Sequence, residues 1–171
     1  MQSQKPSKNQ SERLQRLKME LALEKKKKEL EYQLPHLYAM KMYPWQRTFH
    51  DSKNRFNLIC SANQIGKSSI AIRRVISNAT DTERWKWLYK RKPTMFWYFY
   101  PDSATLDREF TTKWEAEWLP RGAMKDDPRY GWTVKRDKGI PTQVQFNSGV
   151  TLYFLFYTKK RQRCRRVRLM T

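Results

Sequence analysis

The chain has 171 residues, long enough for one domain with a sizeable core, and 14% of them are aromatic. Thirty-six lysines and arginines face sixteen acids, a formal net charge of +20. That charge points to a polyanionic partner, nucleic acid or an acidic membrane surface, against the alternative of a soluble protein with solvated basic faces. No leader-like apolar segment and no run long enough to cross a bilayer is visible, and Cys60 and Cys164 lack zinc or disulfide spacing, so a cytoplasmic protein with no membrane partner is expected.

Residues 1–12 are rich in Gln, Ser, Lys and Asn and read as disordered. Residues 11–33 favour a helix, with Leu14, Leu17 and Leu21 on one side and a block of lysines at 25–28. The apolar seam is thin, so this is a solvated docking helix that Pro35 ends. Three parts follow from the composition: a basic, partly disordered N-terminal helix at 1–40, a partial nucleotide-binding domain at 41–158 and an arginine-rich tail at 159–171.

Next comes Tyr43-Pro44-Trp45-Gln46-Arg47. Gln46 can both donate to and accept from an adenine edge, while Tyr43 or Trp45 covers the ring face. His50 has no evident partner and reads as an ordinary surface or core histidine.

Residues 56–60 (FNLIC) form a short apolar run, which predicts a buried strand with Cys60 as inert core. Ala71, Ile72, Val75, Ile76 and Ala79 recur at helical spacing, with Arg73 and Arg74 outside the stripe. Between them lies Ser61-Ala62-Asn63-Gln64-Ile65-Gly66-Lys67-Ser68, close to the phosphate-loop pattern G-x-x-x-x-G-K-[ST], with Ser61 in place of the first glycine. The chemistry suits ATP and Mg²⁺. Free N–H groups at a helix start take the phosphates, Gly66 lets the backbone approach, Lys67 reaches the β- and γ-phosphates, and Ser68 ligates the metal.

Residues 84–92 (RWKWLYKRK) interleave basic and aromatic side chains, either as a nucleic-acid surface or as a basic loop whose Trp85 and Trp87 pack inward; packing is favoured. Residues 94–100 (TMFWYFY) predict a central strand buried on both faces. Asp102 or Ser103 caps a helix in which Phe110, Trp114 and Trp118 recur every fourth residue, stopped by Pro120 and Gly122. After a polar loop, residues 132–135 make a short strand, and 143–146 pairs with 150–154 through Asn147-Ser148-Gly149 as a hairpin. The order of elements predicts an α/β fold, a P-loop NTPase-like parallel sheet flanked by helices, with a C-terminal β-hairpin.

The set YPWQ, SANQIGKSS, FWYFYPDS with EFTTKWEAEWLPRG, DDPRYGW and FNSGVTLYF, spanning residues 43–157, resembles the N-terminal ATPase domain of the large terminase subunit of tailed bacteriophages. The resemblance implies an ATP-driven DNA-packaging motor. In it Lys67 and Ser68 match the phosphate-loop lysine and hydroxyl, and Gln46 the adenine-side glutamine. It also implies double-stranded DNA, a portal protein and a small terminase subunit as partners, ring assembly, and the cytoplasm of an infected or lysogenic bacterium. The sequence departs from that family in having no apolar strand ending in Asp-Glu and no nuclease domain. A truncated subunit is therefore expected, with the catalytic residues unassigned. The alternatives are a helicase-like ATPase fragment and a non-enzymatic basic protein that binds nucleic acid through residues 159–168 and the N-terminal lysines.

Overall fold

A computed structural model describes residues 8–39, 41–54, 56–60, 62 and 64–157. The expectations for residues 1–7, for Ser61 and Asn63, and for the basic tail lie outside the described residues.

Helix α1 (Lys8–Gln33) starts earlier than composition indicated, so residues 8–12 are helical. Leu14, Leu17 and Leu21 are each more than half exposed, as the thin seam implies. The helix meets the body at its last turn, where Leu34 is buried and the Gln33 carbonyl accepts from the Arg121 N–H. Pro35 opens the single turn α2 (Pro35–Tyr38), and Pro44 opens α3 (Pro44–Asp51), each at the first helical turn where proline loses nothing.

Helices α4 (Lys67–Thr80) and α5 (Thr82–Leu88) follow, the second capped by the Asp81 side chain, which accepts from the Glu83 N–H. Strand β1 (Met95–Tyr100) leads to α6 (Ser103–Glu109), whose cap is the Asp102 carboxylate accepting from the Thr105 N–H at 2.7 Å. The helix then widens into a π-helical segment, Phe110–Trp118, closed by the Leu119 N–H donating to the Trp114 carbonyl five residues back. A 3₁₀ turn at Gly122–Lys125 precedes β2 (Trp132–Asp137), β3 (Ile140–Phe146) and β4 (Thr151–Phe156).

The fold is α/β, with a four-stranded mixed sheet in the order β1-β4-β3-β2. Only β1 and β4 run parallel; β4-β3 and β3-β2 are antiparallel, so the expected parallel sheet is corrected to a mixed one. The hairpin strand β4 inserts between β1 and β3, and β1 lies at the sheet's edge. Its residues alternate between exposed and half-buried rather than being buried on both faces. One face of the sheet carries Tyr100, Trp132, Val144, Leu152 and Phe154 into the core, where Phe110 and Trp114 of the π segment are fully buried. Trp114 packs edge-on against Phe154, and its indole N–H donates to the Tyr100 hydroxyl at 2.9 Å, so the largest core side chain has its polar atom satisfied. Helix α4 packs against the π segment and holds α2 and α3, and α2 also touches the π segment.

The largest departure is at residues 56–60. They form no strand; Phe56 and Leu58 are 84% and 88% exposed, and Cys60 is exposed rather than core. An apolar run needs a neighbouring strand for its backbone groups, and none is paired with it among the described residues.

Candidate functional site

The start of α4 is built by backbone conformation. Gln64 and Gly66 both have positive φ, 63° and 85°, so the loop turns sharply twice before the helix begins at Lys67. Gly66 is needed twice over. Its φ is one that only glycine adopts freely, and a Cβ there would stand 3.0 Å from Gln46 Nε2. Lys67 and Ser68 are the first two helical residues, and with them come the N–H groups that no earlier turn accepts. The Lys67 ammonium donates to the Ala62 carbonyl at 2.7 Å, which folds the side chain back over its own loop.

Gln46 belongs to this loop by position. It is fully buried, its Oε1 accepts from the Tyr43 N–H at 3.0 Å as part of a capping box, and its Nε2 has no partner among the described residues. The amide thus stands between the start of α3 and Gly66, with one donor unused. Trp45 and Ile65, both half-buried, line a cavity of about 490 Å³ together with Phe49, Asn54, Asn57 and Leu58. Its size and its mix of flat apolar walls with two side-chain amides suit a small planar heterocycle. Gln46 is not in its lining, so the structure separates the buried glutamine from the cavity that Trp45 faces. The loop therefore brings together Gly66, Lys67, Ser68 and Gln46, with Ile65 and Trp45 to one side.

The other end of α4 carries a group that the apolar pattern hid. Arg73 is only 3% exposed: its Nε donates to the His36 carbonyl at 2.6 Å and its terminal nitrogen to the Leu37 carbonyl at 3.0 Å. Arg74 donates to the carbonyls of Phe49 and Ser52, and Arg84 to the His50 carbonyl and to Asn78 Oδ1 at 2.6 Å. Three guanidinium groups thus take up carbonyls at the ends of α2 and α3: Arg73 fastens α2 to α4, Arg74 fastens α3 to α4, and Arg84 fastens α3 to α5. The placement of Arg73 and Arg74 outside the stripe is corrected for Arg73. It shares a helix face with Ile76, Ser77 and Thr80, all buried, and that spacing was the available signal.

His50 has partners after all. Its Nδ1–H donates to Asp51 at 2.8 Å, and its Nε2 faces the Ser77 hydroxyl at 3.4 Å. Burial, reinforced by the Arg84 charge, pushes its pKa down to about 4. His36 is fully buried and is pushed down to about 3, again by burial first and then by Arg73. Thr80 gives its own proton to the Ile76 carbonyl, so His36 is neutral and donates from Nε2 to Thr80 Oγ1 at 3.2 Å.

Of the aromatic-basic stretch after α4, Arg84 is buried and Trp85 half-buried. Trp87 is 52% exposed with the Lys53 ammonium 4.4 Å above its ring, so inward packing is corrected for Trp87. Among the described residues no group of three or more His, Cys, Asp or Glu is placed to hold a metal ion, and no helix is long and apolar enough to cross a membrane. No protein-family model matches this chain, and no curated protein or solved structure matches it either.

Proposed function

We propose that this chain is the nucleotide-binding part of a DNA-packaging ATPase of the large terminase type. The observation that carries the reading is the turn at Gly66 that delivers Lys67 and Ser68 to the start of α4 with Gln46 lodged against it. A P-loop-like arrangement is the finer fold that this reading asks of the α/β body. The residues present fit a triphosphate in two respects: Gly66 has a left-handed conformation and no Cβ to hinder an anion's approach to the backbone, and the N–H groups of the first helical turn lack intrahelical acceptors.

In this reading the N–H groups of Gly66, Lys67 and Ser68 bind phosphate oxygens. Lys67 leaves the Ala62 carbonyl to place its ammonium on them, and the Ser68 hydroxyl is the protein's ligand to Mg²⁺. The metal, when bound, neutralises phosphate charge. Trp45 and Ile65 border the cavity available to the base, while Gln46 supports Gly66 from behind and reaches adenine only by turning its free Nε2 outward. Binding and turnover come apart in this chain. Hydrolysis needs a carboxylate to steer water in line with the γ-phosphate, and the one at the end of β1, Asp102, is occupied as the cap of α6. Double-stranded DNA is the proposed polyanion for the +20 charge; a portal protein, a small subunit and a ring belong to the same reading.

The test is a titration with Mg·ATP. Lys67→Ala is expected to weaken binding by about tenfold or more, since a charge-assisted phosphate contact is removed. Equal affinity in the two proteins would sink the proposal. Phosphate release by the wild type is expected to stay at the level of the Lys67→Ala blank.

A further inference from the structure

The sheet has a second face that no helix covers among the described residues. Its register assembles three cross-strand rows there. One runs Trp97, Tyr153, Gln143, Lys135 from β1 to β2; the next runs Met95, Thr151, Gln145, Thr133; the third pairs Phe99 with Leu155. Trp97 is 61% exposed and Phe99 50%, and Tyr157 stacks on Phe99 with ring centroids 5.8 Å apart and 23° between planes. The face is thus aromatic over β1 and β4 and grades into amides, hydroxyls and a cation over β3 and β2.

We propose that this open face is a platform for single-stranded nucleic acid. Bases stack on Trp97, Tyr153 and Phe99, the amides of Gln143 and Gln145 meet base edges, and Lys135 draws the phosphates. The three features of the first row, π-face, hydrogen-bonding amide and cation, answer a base's face, its edge and the phosphate in order. A covering layer of polypeptide suits only half of each four-residue row, because it would desolvate Gln143, Gln145 and Lys135 without returning their hydrogen bonds. A second copy of this chain brings another +20 of charge to the contact, which repels, whereas a polyanion is attracted. The basic residues Lys90, Arg91 and Lys92, all exposed, run directly into β1, and Lys92 reaches the β3–β4 turn, its Nζ 3.3 Å from where a Cβ on Gly149 would stand. This inference rests on the sheet alone and is independent of the nucleotide-site reading.

The experiment titrates the full chain with short dT and rU oligonucleotides and with a duplex of the same length, following tryptophan fluorescence and anisotropy at two salt concentrations. Both single strands are expected to quench the fluorescence, and a preference for one names the natural source. In the double variant Trp97→Ser, Phe99→Ser the affinity for single strands is expected to fall by about tenfold or more with the salt slope unchanged, since stacking is lost and no cation is removed. Duplex affinity should change little. Unchanged single-strand affinity in the double variant overturns the proposal, as does an equal loss for the duplex. Self-association in sedimentation that the double variant abolishes also overturns it, and makes the face a protein interface. If the double variant melts below the wild type, Lys135→Glu at its exposed position decides instead: several-fold weaker binding of single strands supports the platform, and no change overturns it.

Discussion

The two ends of α4 are held by opposite means. At its C-terminal half Arg73, Ser77 and Thr80 are buried, and each meets a hydrogen-bonding partner on α2 or α3. At its N-terminal end Lys67 and Ser68 are half-exposed, Ala62 and Gln64 before them are exposed, and the loop closes on itself through the Lys67–Ala62 contact. Stability therefore resides at one end and the proposed nucleotide-binding chemistry at the other. A loop that must wrap an anion is better left with few fixed contacts, and a helix that presents it is better anchored from behind.

The comparison breaks most visibly at Arg73. Arg73→Ala strands the buried His36 carbonyl and the part-buried Leu37 carbonyl and opens space beside Trp118, over whose ring the guanidinium lies at 5.7 Å. A loss of about 2–4 kcal/mol is expected in chemical denaturation. A loss under about 0.5 kcal/mol would mean that α2 is not fastened through it.

Acid should act at the same end. Unfolded His36 and His50 take up protons near their ordinary value of 6.5, but folded they resist until about 3 and about 4. The unfolded state thus binds more protons as pH falls below about 6.5, and stability drops by up to about 1.4 kcal/mol per pH unit for each histidine until the folded values are reached. Asp51, whose carboxylate His50 and Arg84 hold below the usual range, pulls in the same direction once pH reaches its own region. Melting temperature measured from pH 8 to pH 4 checks this. A flat curve between 6.5 and 5 would show that both rings are open to water, and His36→Gln should shallow the slope.

Gln46 joins the two ends, since it is buried like the anchor yet touches the loop. Gln46→Ala should cost about 1 kcal/mol through the lost acceptor for the Tyr43 N–H and also loosen Gly66. Its effect on binding should exceed its effect on stability when Mg·ATP and Mg·GTP are compared by competition. Discrimination between them unchanged by the substitution would assign Gln46 to the scaffold alone.

The smallest effect on stability belongs to Lys67→Ala. The exposed contact to the Ala62 carbonyl is among those removed, and a change within about 0.5 kcal/mol is expected in the melt while nucleotide binding falls. A large drop in melting temperature would place Lys67 with the anchor and blur the division.

Local rules determined much of this protein. Prolines at 35 and 44 start helices, Asp102 caps α6, the four-residue spacing of Phe110, Trp114 and Trp118 marks a buried stripe, and Asn147-Ser148-Gly149 folds the hairpin, because each depends on residues near in sequence. The turn into Lys67 and Ser68 at a helix start was legible for the same reason. What only the tertiary structure decided is which apolar runs find partners. Residues 56–60 and 95–100 look alike as short apolar strands, yet β1 gains β4 as a neighbour and the other run gains none among the described residues, since strand pairing is a property of the pair. Burial of Arg73 and Arg84 was equally hidden. A guanidinium is buried only where carbonyls from distant elements converge on it, and here those carbonyls come from residues 36, 37 and 50, far from both arginines in the chain.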